Sequence, residues 1–145
     1  MIKQIIPGSK MFCASIQITN ASKTGVQVFN PASSGVIIYI NAINMISLLQ
    51  TKVSFRKHNA ELASLTAVIV SDIIDYNGST PAATTGVSSS PTVGTVIQSL
   101  YSGQDNSEFY NFPLGFRLDE GEGFHIEKDE TSNKFNGFSI YWEEV

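Results

Sequence analysis

Apolar and polar residues alternate along most of this chain, as they do in strands with one buried face. Residues 11–19 and 24–29 show the alternation, and near the end of the chain Phe138, Ile140 and Trp142 occupy every second position. About eight to ten such segments follow one another at a spacing of roughly 8–12 residues, mostly separated by short turn-forming clusters. The pattern predicts an all-β fold, a jelly-roll-like antiparallel β-sandwich of about 8–10 strands.

One strand is predicted to lie at the centre of this sandwich. Residues 30–35 read Asn-Pro-Ala-Ser-Ser-Gly, in which proline fixes φ and glycine permits a positive φ, so they form a turn. The residues that follow, 36–43, are mostly β-branched or aromatic and are apolar at both odd and even positions. We therefore expect both faces of this strand to be covered, either inside the sandwich or against a neighbouring subunit.

Two segments depart from the strand pattern. Residues 1–10 are predicted to form a short N-terminal arm or edge strand, because Pro7 and Gly8 mark a turn within them. Residues 76–91 are rich in Ser, Thr, Gly and Pro, which predicts a long surface loop that is mobile or ordered by a neighbouring subunit. Neither segment separates two large units, so we predict a single domain over residues 1–145.

Composition narrows the class of protein. The hydrophobic content of 42% excludes a wholly disordered chain, and no apolar run approaches the roughly 18 residues of a membrane span. The single Cys13 has no partner for an internal disulfide. No export signal develops at the start of the chain. We therefore expect a chain made in the cytoplasm, with no membrane partner.

The formal net charge of −4 hides an uneven distribution. Residues 1–60 carry six cations and no carboxylate, whereas residues 61–145 carry three cations and all 13 carboxylates, a balance of −10. Early and late strands could interleave, so that the charges compensate across neighbouring strands. The charges could instead separate to opposite ends, which would give a dipolar molecule that docks on a partner or on its own copies.

An acidic cluster is the densest polar feature. Oxygen-rich clusters can hold Ca²⁺, but this one lacks the EF-hand pattern, and the simpler interpretation is a solvated turn. We predict no metal or other cofactor here. The cluster comprises Asp119, Glu120, Glu122, Glu127, Asp129 and Glu130.

Other candidate sites carry weak signals. His58 and His125 have no Cys or His at ligand spacing, and His125 alternates with apolar neighbours, so it is predicted to face solvent or a subunit interface. Asp72 and Asp75 would suit a carbohydrate hydrolase only if the fold brought suitable carboxylates within roughly 5–10 Å of each other. The basic residues 52–58 are more simply a solvated strand edge than a nucleic-acid surface. We predict no catalytic residue and no nucleic-acid partner.

Two stretches together carry a resemblance to a known class. Residues 28–35 read Val-Phe-Asn-Pro-Ala-Ser-Ser-Gly before an apolar strand, and residues 112–118 read Phe-Pro-Leu-Gly-Phe-Arg-Leu before an acidic turn. With the closing Phe-Ser-Ile-Tyr-Trp-Glu-Glu at 138–144, they resemble small structural proteins of tailed-bacteriophage virions, of the capsid-decoration or tail-accessory kind. The resemblance covers residues 24–45 and 108–145 and supplies no active-site residues.

The resemblance implies a non-enzymatic virion protein, made in the host cytoplasm, that self-assembles and binds a major capsid or tail protein. We expect a homo-oligomer, with a trimer as the first expectation. An alternative is a phage-tail module that binds host-surface glycan through exposed aromatics such as Tyr101, Phe109 and Tyr110, and a small carbohydrate hydrolase is a third class. The predicted oligomer or partner interface comprises Val36, Ile38, Tyr39, Arg56, Lys57, Phe109, Tyr110 and Phe112.

Overall fold

Ten strands form two antiparallel sheets in the computed structural model, which describes residues 9–18, 24–47, 51–63, 65–66, 68–72, 80–89, 93–102, 106–128 and 136–145. No described residue lies in a helix, so none belongs to a helix long and apolar enough to cross a membrane. The strands are β1 Lys10–Ile18, β2 Thr24–Phe29, β3 Ile38–Ser47, β4 Thr51–His58, β5 Ile69–Asp72, β6 Thr84–Ser88, β7 Thr95–Ser102, β8 Asn106–Leu118, β9 Gly123–Lys128 and β10 Asn136–Glu144.

The strand order is that of a jelly roll. Sheet A has the order β5-β1-β10-β3-β8 and sheet B the order β6-β2-β9-β4-β7. Strand β1 pairs with β10, β2 with β9, β3 with β8 and β4 with β7, so the two halves of the chain run side by side as one long antiparallel ribbon. Folding that ribbon into two sheets gives the jelly roll, and β5 and β6 widen one side of it. The predicted jelly-roll-like β-sandwich is confirmed.

The core lies between the two sheets. Trp142, Phe138 and Ile140 are at most 2% exposed and share the inner face of β10, as the alternation predicted. Phe12 of β1 stacks on Trp142 with ring centroids 5.7 Å apart. Burial of such large side chains from neighbouring strands supplies most of the favourable free energy of a sandwich of this kind.

Strand β3 lies inside sheet A, between β10 and β8, as expected for a central strand. Ile38 and Ile40 point into the core before a register shift, and Ile43 and Met45 point into it afterwards. Apolar residues therefore occupy both parities because a bulge reverses the alternation, not because both faces are covered. Ile38 is fully buried within the subunit, so its assignment to a partner interface is wrong.

The turn before β3 is closed by the fully buried side chain of Asn30. Its Nδ2 donates to the carbonyl oxygens of Val36 and Leu118 at 2.9 and 3.1 Å, and the Ser34 hydroxyl donates to its Oδ1 at 2.6 Å. The Asn30 amide therefore ties the turn at residues 30–35 to the end of β8. Its donors and acceptor are satisfied inside the protein, as a buried amide requires.

The predicted loop at residues 76–91 is wrong for residues 84–88. Thr84–Ser88 forms β6, which pairs with β2 of the same chain. A Cβ built on Gly86 would lie 3.1 Å from the Leu65 Cβ, so a small residue is needed where residues 65–66 cross this strand. Gly86 therefore reflects close packing in a strand rather than a flexible loop. Residues 76–79, 90 and 91 lie outside the described residues.

Only the last two residues of the predicted N-terminal arm are described. Lys10 begins β1, and the Ser9 hydroxyl donates to Glu143 Oε2 at 3.1 Å, so this part belongs to sheet A. Residues 1–8 lie outside the described residues.

The charged residues interleave rather than separate. In each sheet, strands from the first half of the chain (β1 to β4) alternate with strands from the second half (β7 to β10), and β5 and β6 are added at one end. Arg56 Nε of β4 lies 2.8 Å from Glu127 Oε2 of β9, and Lys57 Nζ lies 3.0 Å from Glu122 Oε1. These early cations and late carboxylates therefore compensate across neighbouring strands, and the alternative of opposite charged ends is wrong for them.

Candidate functional site

Two edge strands, β7 and β8, lie on the same side of the sandwich. Strand β7 ends sheet B beside β4, and β8 ends sheet A beside β3. Every residue from 93 to 99 is exposed, which is unusual for a strand of a sandwich. Five large apolar side chains are exposed on this side: Val93 46%, Val96 43%, Ile97 39%, Phe109 61% and Leu114 75%. We name these five residues the apolar rim.

Strand β7 lacks most of the features that protect sheet edges. Its sequence, Thr-Val-Ile-Gln-Ser-Leu-Tyr-Ser, contains no charge and no proline over eight residues. Its one irregularity is a register shift that leaves Ile97 as an extra residue between the pairs Arg56–Val96 and Phe55–Gln98. Natural edge strands are commonly shortened, charged, interrupted by proline or covered, because an open edge pairs with other strands.

The other three edges are protected. Strand β5 has four residues, and β8 contains Pro113, Gly115 with φ of 75° and a register shift against β3. Strand β6 is covered, because Thr66 and Val87 exchange two backbone hydrogen bonds of 2.8 Å each. Within the described part of the chain, β7 is the long edge that has a register shift as its one protection, with no charge, no proline and no covering segment.

Strand β7 is held firmly against β4, so its free edge is presented in a defined geometry. The Ser54 and Ser99 hydroxyls lie 3.0 Å apart, and Arg56 Nη1 donates to the Gly94 carbonyl at 3.2 Å. Gly94 has φ of 82°, and a Cβ there would collide with the Lys57 carbonyl, so only glycine fits. The chain thus enters β7 through a close contact that no other residue permits.

The predicted interface residues are spread over several environments. Phe109 is exposed at the apolar rim, but Tyr110 and Phe112 pack against the core, and Phe55 lies 5.3 Å from Tyr110 and 6.4 Å from Phe112 between ring centroids. Val36 also packs against the core, and Tyr39 is partly buried. Arg56 and Lys57 form the ion pairs with Glu127 and Glu122.

Sequence reasoning missed the exposure of Val93, just before β7, and of Val96 and Ile97 within it. Each was interpreted as an ordinary strand residue, because an exposed edge and a central strand have the same apolar composition. The signal that was available is the absence of any charge between Val93 and Ser102. An uncharged strand is unremarkable in the centre of a sheet and informative only at an edge.

The outer face of sheet B carries a second feature, a buried polar layer. Its members are Gln27, Ser54, Arg56, His58, His125 and Glu127. Residues 59–63 cross part of this face, where Leu62 N donates to Gln27 Oε1 at 3.0 Å and Ser88 Oγ donates to the Ala63 carbonyl at 2.6 Å.

His125 lies inside this polar layer and is fully buried, so the prediction that it faces solvent or an interface is wrong. Its Nδ1 lies 2.9 Å from the Nδ1 of His58, so the N–H of one imidazole donates a hydrogen bond to the ring nitrogen of the other. Burial lowers the pKa of His58 from 6.5 to about 4, which keeps this imidazole neutral at pH 7. A Cβ at Gly123 would collide with His58 Nε2, so glycine provides the room for this ring.

Glu127 is the buried carboxylate of the polar layer. Arg56 Nε approaches its Oε2 to 2.8 Å, although not along a linear hydrogen bond, and His125 Nε2 lies 3.8 Å from the same oxygen. A buried carboxylate needs such a cation, because burying a lone charge is costly. The interpretation of the basic residues 52–58 as a solvated edge is wrong, because β4 is an interior strand of sheet B. Two of its cations, Arg56 and Lys57, form ion pairs with Glu127 and Glu122.

The described carboxylates of the acidic cluster each have their own partner. Asp119 Oδ1 lies 2.8 Å from Arg117, and Glu120 accepts the N–H groups of Ser33 and Gly35 at 2.7 and 3.1 Å. Glu122 pairs with Lys57. These contacts fasten two turns together, while Glu127 is buried rather than solvated. No three His, Cys, Asp or Glu residues in the described ranges form a metal-binding group; Asp129 and Glu130 lie outside those ranges.

Two further features bear on the alternative functions. A cleft of about 680 Å³ lies beside β7, between Ile97, Phe116, Asn59 and the Lys57–Glu122 pair. Asp72 ends β5, where it is opposite Phe12, and Asp75 lies outside the described residues, so nothing brings either of them together with a late carboxylate as a carbohydrate hydrolase would need within the described residues.

The chain matches no protein-family model, no curated protein and no solved structure.

Proposed function

We propose that this protein is a non-enzymatic structural component of a tailed-bacteriophage virion, which self-assembles and binds the capsid or tail surface. The observation that carries the proposal is the apolar rim beside the unprotected β7 edge. Large apolar side chains that cluster on one side of a small protein mark contact surfaces, whereas singly scattered ones need no explanation. Phe109 and Leu114 are 61% and 75% exposed, so they gain most from a partner that covers them.

The jelly-roll fold is compatible with the same proposal. Jelly rolls recur in viral capsid proteins, although they also occur in lectins and cupins, so fold alone does not select a function. The resemblance of residues 28–35 and 112–118 to virion proteins selects among these classes. The second of these stretches lies in β8, and Leu114 of the apolar rim is part of it.

The proposal is tested on particles. The gene should be tagged in its native genome, the released particles purified by density gradient, and the protein located by mass spectrometry and immunogold labelling. We expect the tagged protein on the particle surface in many copies. The double variant F109S/L114S should fold normally and be depleted from particles. Particles that form at full yield with no copy of the unsubstituted protein would contradict the proposal.

A glycan-binding module is the second candidate, and one observation favours it. The cleft of about 680 Å³ combines the aromatic Phe116 with polar side chains of Asn59, Lys57 and Glu122, a combination that suits a sugar ring and its hydroxyls. Of the three aromatic residues expected to bind glycan, Phe109 is exposed and Tyr110 packs against the core. The structure describes the backbone of Tyr101 but not its side chain.

A glycan array decides this second candidate. Saturable binding by the purified protein that is lost in Phe116→Ala and kept in Phe109→Ala would favour it. Absence of binding across host-surface glycans would remove it and leave the structural proposal in place.

A further inference from the structure

We propose that β7 pairs with β7 of a second copy, antiparallel and across a twofold axis, so that the two five-stranded sheets B become one continuous sheet. This inference deepens the proposed self-assembly by naming its contact. It rests on backbone edges and side-chain charge, and it holds for the isolated protein whether or not a particle is present.

The first step is that the other edges in the described part of the chain are poorer partners for β7 than β7 itself. In a head-to-tail ring, β7 of one subunit would need a different free edge on the next. Within the described residues, Val87 of β6 already bonds to Thr66, β5 has four residues, and β8 is interrupted at Pro113, which leaves only its first half regular. An edge-paired trimer would therefore have to use that half of β8 as its second edge, whereas a twofold dimer needs β7 alone.

The second step is that β7 is complementary to itself. A twofold axis normal to the sheet places two copies of one strand antiparallel, so each residue meets a residue of the same strand. Like charges that face each other in such a ladder are destabilising, and β7 contains none. Strand β8 is less suited to a continuous ladder of this kind, because Pro113 lacks a backbone N–H.

The third step concerns apolar burial. Val96 and Ile97 are 43% and 39% exposed at the edge, and a second strand alongside β7 would cover part of both. Pairing also satisfies the backbone N–H and C=O groups that an edge strand directs outward. Main-chain bonds would thus supply affinity, while the exposed side chains of β7 would set the register.

A cysteine scan tests the geometry directly. In a Cys13→Ser background, a single Cys is placed in turn at Ile97, Gln98, Ser99, Leu100 and Tyr101, with Leu114→Cys as the matched exposed control. Residues that face their own copy across a twofold lie about 4.5–5.5 Å apart between Cα atoms, which suits a disulfide. We expect rapid dimer cross-linking at one or two adjacent positions of β7 and little at residue 114. Cross-linking confined to residue 114, or spread evenly over all positions, would overturn the pairing.

A charge variant tests the same contact by affinity. Gln98→Lys adds a cation at an exposed position in the middle of β7, where the proposed pairing brings two like charges close together, and Ala32→Lys adds the same charge in an exposed turn outside the strands. By sedimentation equilibrium we expect Gln98→Lys to raise the dimer dissociation constant about tenfold or more, with Ala32→Lys unchanged. Equal effects of the two substitutions would contradict the proposal.

The outcome separates this inference from the proposed function. A protein that is monomeric at every concentration, or trimeric with no β7 cross-link, overturns the twofold pairing even if it is found on particles. A β7 dimer that never reaches a particle keeps the pairing and removes the virion role.

Discussion

The two sides of this sandwich differ in how their edges end. On the β5–β6 side the chain uses its own segments for closure: Thr66 pairs with Val87, and the Glu144 carboxylate accepts the N–H groups of Ala82 and Ala83 at 2.9 and 3.0 Å. On the β7–β8 side the apolar rim is exposed, and β7 has neither charge nor proline. Both sides face the same need to satisfy backbone groups and cover apolar surface. The first side is closed within the subunit at β6, whereas the proposed β7 pairing would close the second side with another copy.

The largest effect is expected at the core that both sides share. Trp142→Ala should lower the free energy of unfolding by about 3–5 kcal/mol, because Trp142 is fully buried and stacked on Phe12. Phe109→Ala is the control, and its cost should be within about 0.5 kcal/mol because its ring is 61% exposed. Urea denaturation of both variants measures this, and equal costs would show that the inner and outer faces have been confused.

The next effect tests the buried polar layer through pH. The pKa of His58 is about 4 in the folded protein against 6.5 when unfolded, so between these values the unfolded chain binds more protons. Stability from this group is therefore complete above pH 6.5 and is lost as pH falls toward 4, by at most about 3 kcal/mol.

His58→Gln separates this loss from the titration of carboxylates. The stability advantage of the unsubstituted protein over the variant should shrink between pH 6.5 and 4. Parallel stability curves for the two proteins would show that His58 does not titrate in this range.

A smaller effect is expected where the chain closes its own edge. Glu144→Ala removes the acceptor for Ala82, Ala83 and the Trp142 indole N–H, at a cost of about 2–3 kcal/mol, while Glu144→Gln should cost less because its amide oxygen still accepts. Thermal unfolding compares the two.

Deletion of residues 80–90, which loop-closure entropy alone predicts to be harmless, should destabilise the fold because it removes β6 as well. An undisturbed deletion variant would show that β6 adds nothing.

The smallest effect is expected from salt on self-association. A dipolar molecule should assemble more slowly as salt approaches about 1 M, where the screening length is roughly 3 Å. Arg56 and Lys57 are instead engaged within the subunit, and β7 is uncharged, so we expect less than about a threefold change in the dimer dissociation constant. Sedimentation at low and high salt checks this, and a strong weakening would restore charge as the driving force.

Local patterns were sufficient for much of the fold. The alternation around Trp142 and the turn residues after Phe29 depend on near neighbours in sequence, and both predictions are confirmed. The burial of His125 was not predictable in this way. It lies on the outer face of β9, which is covered by residues distant in sequence instead of being exposed to solvent. Strand β6 was missed for the same reason, since its small residues fit a crossing by residues 65–66 that periodicity does not reveal.

The candidate site was predicted less well than the fold. Of the expected interface residues, Phe109 lies at the apolar rim, whereas Ile38 is buried in the core. A central strand and an edge strand have similar amino-acid compositions. The strand order identifies β7 as an edge strand, because β4 is its one partner among the described strands. The strand order depends on contacts between the two halves of the chain, which no local window contains.

Hydrogen–deuterium exchange tests most directly whether one side is closed by the subunit and the other by a copy. The backbone amides of β6 and β7 should be followed at protein concentrations well above and well below the dimer dissociation constant. We predict that β6 amides are equally protected at both concentrations, because Thr66 and β2 cover them within the chain. Amides on the outer edge of β7 should be protected only at the high concentration. Protection of β7 that is independent of concentration, or absent at both, would contradict this account.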